Sequence, residues 1–191
     1  MAGITTTDFT EVEITKIGIK IGDAEKAEVI DCAGKLEEEM NCKTMQKKCG
    51  SRILKTRTKG AGDGKVKVAI YCPQDLFANL YGMKREGLKD GVIAYGTKSQ
   101  HAVALITAEV ENEDGEKKYK AYPNCTIQTA LSRTVDNSSE DINMLELELA
   151  VMPDEDGEGL YEAVESDLTD ETTKQKWMEE FTKELVKVAM A

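Results

Sequence analysis

The sequence has little of the chemistry on which metal and redox sites depend. It contains one histidine, His101, and it has no His pair, H-E-x-x-H motif or Cys/His cluster. We therefore predict no zinc site. The five cysteines are odd in number, and no two of them form a C-x-x-C pair. We interpret them as reduced thiols. Cys32, Cys72 and Cys125 lie among strand residues, and we expect them in or near the core.

Long apolar runs are also missing, and we expect no secretory signal. No stretch of 18 apolar residues occurs, so no membrane-spanning helix is predicted. Residues 1–8 have neither the basic nor the apolar region of a secretory signal. The composition is typical of a globular protein, since 40% of the 191 residues are hydrophobic and 32% are charged. A chain of this length can bury roughly 70% of its unfolded surface.

The charges are unevenly distributed along the chain. The net charge of −11 disfavours a general affinity for nucleic acid or acidic membranes. Residues 43–67 contain nine basic residues and one acid, whereas residues 134–173 contain fourteen acids and no base. Such blocks are usually solvated faces. They also fit a molecule with two ends, whose positive patch meets a negative patch on a neighbour.

Two segments look superficially like ligand-binding loops. Residues 60–65 (GAGDGK) lack the Walker spacing, because Lys59 stands where glycine is needed and Val66 where serine or threonine is needed. Residues 154–158 (DEDGE) suggest a calcium loop, but the glycine is fourth rather than sixth, and we interpret them as a solvated turn. A Cys–His nucleophile pair is not favoured, because His101 lies in a polar stretch. We predict no catalytic, cofactor-binding or metal-binding residue and no enzyme.

Alternating apolar residues predict an antiparallel sheet with one face on a core. Residues 12–21 alternate with one slip at Thr15–Lys16, which indicates a bulge or two short strands. Residues 143–151 form the cleanest strand pattern. One face of that strand carries Leu145, Leu147, Leu149 and Val151, and the other carries Glu146 and Glu148.

Two hairpins are predicted. Asp114-Gly115 is a two-residue turn signal that would join residues 102–111 to residues 117–122. Residues 52–58 and 65–72 would form a second hairpin, with the glycine-rich residues 60–64 at its tip.

Three other segments have weaker patterns. Residues 27–33 and 92–95 are short strand candidates. Residues 35–49 show no clean period, and we interpret them as an extended, partly exposed connection. A short helix over residues 36–40 is the alternative.

Two helices are predicted. Residues 73–82 begin with a proline and end with a glycine, as short helices often do. A last helix would be capped by Thr169 or Asp170 and run to about Val188. Its apolar stripe would dock on its own domain or on the next subunit. The stripe consists of Trp177, Phe181, Leu185 and Val188.

The simplest organisation is one mainly β domain, a β-sandwich or half-barrel, with one short flanking helix and a C-terminal helix. We expect a flexible N-terminal arm over residues 1–11, the β-domain over residues 12–168 and the C-terminal helix within residues 169–191.

Several ordered segments carry a family resemblance. They are residues 69–76 (AIYCPQDL), 88–96 (LKDGVIAYG), 120–125 (KAYPNC) and 147–154 (LELAVMPD), followed by Trp177 and Phe181. In this order they resemble the major tail proteins, or tail tube proteins, of long-tailed bacteriophages and prophages of Gram-positive bacteria. The resemblance covers about residues 10–185.

The resemblance implies a structural virion subunit. Six copies would form a ring, and the rings would stack into the tail tube, the conduit for DNA ejection. Expected partners are further copies of the chain, a tape measure protein and a tail terminator, with DNA only in transit and no membrane. The subunit would be made in the bacterial cytoplasm and would reside in the virion tail, without a cofactor.

Two sets of site residues are hypotheses under this interpretation. Glu146 and Glu148 are candidates for the channel lining, where acidic groups repel phosphates. Contacts between rings would join a basic stretch to an acidic one. The candidates are Lys43, Lys47, Lys48 and Arg52 on one ring, and Asp154 and Asp156 on the next.

Other functions remain open. A tail terminator or a capsid decoration protein would share the assembly logic, but a terminator would stop at one ring. A cytoplasmic small-ligand-binding β-barrel would need an apolar cavity with a few polar anchors, and no sequence feature indicates one.

Overall fold

The computed structural model describes residues 9–134 and 143–188. These residues form eight strands and two α-helices, with short 3-10 turns at Glu165–Asp167 and Lys183–Val186. The strands are β1 (Glu13–Ile21), β2 (Glu28–Ile30), β3 (Ala33–Cys49), β4 (Arg52–Ile70), β5 (Val103–Glu111), β6 (Lys117–Ile127), β7 (Leu145–Met152) and β8 (Tyr161–Val164). The helices are α1 (Gln74–Leu80) and α2 (Glu171–Glu180).

The strands form one antiparallel sheet in the order β2-β1-β5-β6-β7-β4-β3. Strand β6 has two neighbours on one side, because Lys118–Ala121 pair with β8 whereas Asn124–Ile127 pair with β7. The sheet curls, so that β3 contacts β1 although the two strands do not pair. The predicted mainly β fold with flanking helices is confirmed.

The main core lies on one face of this sheet. Alternate residues of β4 (Val66, Val68 and Ile70) pack with Leu147, Leu149 and Val151 of β7. Helix α1 covers them with Leu76, Phe77 and Leu80. The outward residues of β7 are Glu146 and Glu148, so the predicted alternation of residues 143–151 is confirmed.

Helix α1 has the predicted ends. Pro73 precedes its first residue with φ −57°, where a missing N–H costs nothing. Gly82 has φ +60°, and a Cβ there would lie 2.1 Å from the carbonyl oxygen of Gln100. Only glycine fits this close approach, which brings the helix end against the loop before β5.

Helix α2 covers the opposite face of the sheet. Trp177 and Phe181 are buried with Tyr119 of β6, and the indole Nε1 donates to the carbonyl oxygen of Lys120 at 3.2 Å. Docking on the helix's own domain is therefore confirmed, as is the cap at Asp170, whose side chain accepts from the Thr172 N–H at 3.0 Å. The expected length is wrong, because the helix ends at Glu180.

The bulge of the first strand and the hairpin of β5 and β6 are as predicted. The pairing of β1 with β5 shifts register between Ile14 and Lys16, so the bulge falls at Thr15. The expected two-residue turn is wrong, because residues 112–116 connect β5 to β6. The Gly115 N–H donates to the Asn112 carbonyl oxygen at 3.1 Å, so Glu113 and Asp114 are the central residues of the turn and Gly115, with φ +77°, follows them.

The second predicted hairpin has the wrong tip. Strand β4 runs without a break through residues 60–64, and the turn lies at Gly50, with φ +60°, and Ser51. Residues 35–49, predicted as a connection, belong to β3, which pairs with β4 almost to Gly50. The glycine-rich segment is a bulge. Gly62, with φ +81°, lies against the chain at Gly157, and a Cβ on Gly62 would come within 2.6 Å of the Gly157 carbonyl oxygen.

Two smaller expectations also fail. Residues 92–95 form no strand, because they lie between turns and a bend. Cys32 is exposed, whereas Cys72 is half-buried and Cys125 is buried. The strand predicted at residues 27–33 shortens to β2, which is the edge of the sheet.

Candidate functional site

The outer part of the β3–β4 hairpin projects from the sheet as a two-stranded ribbon. We call residues 41–60 the basic arm. Every residue of the arm is exposed, because β4 pairs with β7 only from Gly64 onward. The arm therefore packs nothing on either face. An isolated two-stranded hairpin is marginally stable in water, so the arm is poorly stabilised by its own contacts.

The register of the arm places like charges opposite each other. Lys43 pairs with Lys59, and Lys47 pairs with Lys55. Residues directly opposite in an antiparallel pair share a face and lie close together. Like charges in that position are destabilising. Unfavourable pairs of this kind are typical of functional surfaces, where stability is given up for binding.

None of the arm's seven cations is neutralised within the part of the chain that the structure describes. The seven are Lys43, Lys47, Lys48, Arg52, Lys55, Arg57 and Lys59, and residues 41–60 contain no acid. No ion pair joins them to a described carboxylate. Removing these seven charges from the net charge of −11 leaves −18 for the remainder of the chain. The molecule therefore combines a cationic arm with a strongly anionic body.

Apolar side chains also lie exposed on the arm. Met45, Ile53 and Leu54 are each about half exposed, at 51%, 51% and 54%. Sequence reasoning missed them, because residues 35–49 showed no clean period. The signal that could have found them is the Gly50-Ser51 turn, which makes the two flanking segments a hairpin.

The acidic residues proposed as partners of the arm already have partners of their own. The Asp154 carboxylate accepts hydrogen bonds from the Asp156 N–H (2.9 Å), the Glu158 N–H (3.0 Å) and the Tyr161 hydroxyl (2.6 Å). Partial burial opposes these bonds, but they lower the pKa of Asp154. The satisfied carboxylate fits the interpretation of residues 154–158 as an ordinary turn.

Asp156 pairs with two lysines of the C-terminal segment. Its carboxylate contacts the Lys187 ammonium and lies 3.6 Å from that of Lys183. The hydrogen bond from Lys187 lowers the pKa of Asp156. The structure does not bring Asp154 or Asp156 to the four basic residues predicted to meet them, and a contact with the arm of another copy remains a prediction.

The two proposed channel residues lie on the outward face of β7. Glu148 forms ion pairs with Lys65 at 3.1 Å and Lys67 at 3.8 Å, both on β4. The hydrogen bond from Lys65 lowers the pKa of Glu148. This face is therefore mixed in sign, whereas the sequence pattern suggested an acidic one.

Three carboxylates, those of Glu11, Glu38 and Glu162, converge at one point. Such a set could hold a metal ion, but the Lys120 ammonium already lies between them, at 2.9, 2.6 and 3.3 Å respectively. Lys120 is the one buried cation among the described residues, with 1% of its surface exposed. Sequence reasoning missed it.

Two of the thiols are less acidic than usual, and the histidine is hydrogen-bonded at both ring nitrogens. Burial raises the pKa of Cys72 to about 11 and that of Cys125 to about 12, which disfavours the nucleophilic thiolate. The His101 ring bonds through Nδ1 to the Ile127 carbonyl oxygen at 2.8 Å and through Nε2 to the Tyr95 hydroxyl at 3.2 Å.

None of the helices in residues 9–134 and 143–188 has the length and apolar character that crossing a membrane requires.

No known family model matches the chain, and no curated protein does either. The solved structures that are similar to it include the following two. One is the tube terminating cap of the anti-feeding prophage, with a TM-score of 0.44 and 14% identity, over 86% of this chain and 99% of that one. The other is from the sheath-tube complex of an extracellular contractile injection system, with a TM-score of 0.48 and 13% identity, over 80% of this chain and 91% of that one.

Proposed function

We propose that this protein is a structural subunit that assembles with copies of itself, with the basic arm of one copy bound to the acidic body of the next. The observation that carries the proposal is the arm itself. Its seven exposed cations form no ion pair with residues 9–134 or 143–188, and the ribbon that carries them is exposed along its whole length. A partner that supplies negative charge would neutralise these cations, and the same partner would bury the exposed side chains of Met45, Ile53 and Leu54.

A second copy fits the arm better than nucleic acid does. The body of each subunit carries a charge of −18 once the arm's seven charges are removed. This charge attracts a cationic arm from a neighbour and repels a polyphosphate chain. Because complementary potentials steer association and fix register, the uneven distribution of charge favours binding between an arm and a body.

The proposed assembly is one in which each arm binds the body of the next copy and not, reciprocally, the copy that binds its own body. Such a contact is heterologous, and heterologous contacts generate rings or open helical arrays, whereas a reciprocal exchange of arms would close a two-fold dimer. The resemblance to tail tube proteins supplies the finer form of the proposal. It comprises hexameric rings stacked into a tail tube that conducts DNA, capped by a terminator and filled by a tape measure protein.

Within that assembly, Glu146 and Glu148 are proposed to face the channel, and Lys43, Lys47, Lys48 and Arg52 to meet Asp154 and Asp156 of the adjacent ring. The second contact requires an exchange of partners, because Asp156 would have to release Lys183 and Lys187. Surface ion pairs of this kind contribute only about 0–1 kcal/mol each, so the exchange is energetically accessible.

Charge reversal tests the proposal. The triple variant Lys47→Glu, Lys48→Glu, Arg52→Glu should fold as a monomer, because these residues have no described partner, and should lose assembly. The matched control is Arg85→Glu, Lys89→Glu, Lys98→Glu. It changes the same residue types, all exposed, and lowers the net charge equally. Assembly is measured by sedimentation velocity and negative-stain electron microscopy of concentrated protein.

The outcomes separate the candidate functions. Stacked rings or tubes from the natural chain and the control, but not from the arm variant, are the expected result. Single rings that never stack would favour a tail terminator. Normal tubes from the arm variant would overturn the role of the arm, and a natural chain that stays monomeric at every concentration would remove the support for self-assembly.

A further inference from the structure

Lys120 is a charged side chain in an interior position. It lies on the same face of β6 as Tyr122, a residue of the main core, and only 1% of its surface is exposed. A buried ammonium group is costly unless it is paired and hydrogen-bonded. Three carboxylates meet that need: the ammonium group donates hydrogen bonds to Glu11 at 2.9 Å and Glu38 at 2.6 Å, and it forms an ion pair with Glu162 at 3.3 Å.

The three carboxylates come from three different parts of the chain. Glu11 precedes β1, Glu38 lies on β3 and Glu162 lies on β8. Glu38 has a second bond, because the Tyr122 hydroxyl donates to its other carboxylate oxygen. Burial and the Glu38 charge raise the pKa of the Tyr122 hydroxyl, which therefore remains a donor. Both donors to Glu38 lie on β6.

Glu38 occupies a special position relative to the basic arm. The pairing of β3 with β4 shifts register between Met40 and Cys42, where the arm begins. In residues 9–134 and 143–188, the other polar bonds of β3 side chains stay within the hairpin: Lys35–Glu37, Asn41–Asp63 and Thr44–Thr58. Glu38 thus supplies the hydrogen bonds and the ion pair that join β3 to a strand outside the hairpin.

We propose that Lys120 and Glu38 form the positioning pair of the basic arm, which hold its base against β6 and so set its direction. The consequence of a loose base is large, because nine residues of strand beyond Asn41 span roughly 30 Å. A tilt of about 10° at the base would move the tip by roughly 5 Å. Such a displacement exceeds what a specific contact tolerates.

The pair is a device for geometry more than for stability. Replacing a buried ion pair by apolar groups is often neutral, and buried polar groups are in some proteins retained because they specify one arrangement. Lys120 would remain paired with Glu11 and Glu162 if Glu38 were removed. Loss of Glu38 alone should therefore leave the fold intact and release the arm.

The test compares two alanine variants of carboxylates that bind the same ammonium group. Glu38→Ala removes the connection to β3, whereas the matched control Glu162→Ala removes a carboxylate on β8. Spin labels are attached at Cys49, beside the arm's turn, and at a cysteine from Glu113→Cys in the β5–β6 turn. The background carries Cys32→Ser and Cys42→Ser, which remove the other exposed thiols. Pulsed electron resonance then gives the label-to-label distance distribution of the monomer.

The expected result is a narrow label-to-label distance distribution for the parent and Glu162→Ala and one at least twice as wide for Glu38→Ala, measured at a temperature at which circular dichroism shows both variants folded. Glu38→Ala should melt at a lower temperature than Glu162→Ala, because the buried Tyr122 hydroxyl loses its acceptor. Lys120→Met should also widen the distance distribution. An unchanged width in Glu38→Ala, or equal widening in the control, would overturn the proposal.

The purpose of a fixed arm direction rests on the proposed function, because only assembly would require it. The distance measurement does not rest on that function. The label-to-label distances are measured on monomers, so this test of the positioning pair does not depend on whether the protein assembles. If the arm of Glu38→Ala is released and the parent assembles, the assembled fraction should fall at least tenfold in Glu38→Ala and stay unchanged in Glu162→Ala. If the parent never assembles, the proposed function is wrong while the positioning role stands.

Discussion

Glu109 shows how a single buried carboxylate can be kept charged. It lies on β5 and accepts from the Thr15 hydroxyl at 2.8 Å and the Lys117 ammonium at 3.2 Å, with Lys16 at 3.6 Å. Burial raises its pKa, but the hydrogen bonds from Thr15 and Lys117 and the positive charges of Lys16 and Lys117 together lower it further, so the net shift is downward. The ionised form therefore stabilises the fold. That contribution is complete above the ordinary glutamate pKa of about 4.3 and is lost as the pH falls through the lower, folded value.

Glu109→Gln should consequently lower the free energy of unfolding at pH 7 by about 1–3 kcal/mol, because two lysines and a hydroxyl lose a charged acceptor. The deficit should shrink below pH 4, where the natural carboxyl is also protonated. Urea denaturation followed by circular dichroism at pH 7 and pH 3 measures both effects. The control Glu113→Gln changes an exposed residue of the next turn and should cost almost nothing. A deficit that is equal at both pH values would contradict this account.

At the scale of the element, α2 illustrates a short helix that is held by tertiary packing. Ten residues are too few for a stable isolated helix in water, so its stability comes from the face that packs on the sheet. That face centres on Trp177, whose ring stacks on Tyr119 at 5.8 Å and packs on Phe181 at 5.1 Å between centroids. Val188, the last residue of the predicted stripe, is 92% exposed, because the helix ends at Glu180 and the chain then turns.

Trp177→Ala should therefore destabilise the protein by about 3–5 kcal/mol, through lost burial and the cavity left behind. Val188→Ala should be close to neutral. Thermal denaturation followed by far-UV circular dichroism gives both values without relying on tryptophan fluorescence. A cost below about 1 kcal/mol for Trp177→Ala would show that α2 is not anchored by this residue.

At the scale of the whole molecule, the separation of charge makes assembly sensitive to salt. A screening length of about 10 Å at 0.1 M salt falls to about 3 Å at 1 M, so attraction between an arm and an anionic body should weaken. We expect the protein concentration needed for assembly to rise by about tenfold or more over that range. Sedimentation at several salt concentrations measures it. Assembly that strengthens with salt would instead indicate that Met45, Ile53 and Leu54 dominate the contact.

Much of the architecture could be predicted from local patterns. The alternation of β7, the bulge at Thr15, the β5–β6 hairpin marked by Asp114-Gly115 and the Pro73–Gly82 frame of α1 each depend on a few neighbouring residues. The concentration of basic charge before Gly64 could be read directly from the sequence as well. These features follow from backbone geometry and local composition, which neighbouring residues specify without help from the rest of the chain.

The geometry of the basic arm and of its base depends on tertiary structure. Strand β4 continues through a glycine-rich segment because that segment lies against the chain at Gly157, a contact between residues far apart in sequence. Lys120 and Glu38 are separated by 82 positions, and their pairing exists only because the curled sheet brings β3 to β6. The sequence by itself determined that the protein has a cationic stretch and an anionic one. The packing of distant strands decided that the cationic stretch projects as an arm and which residues hold its base.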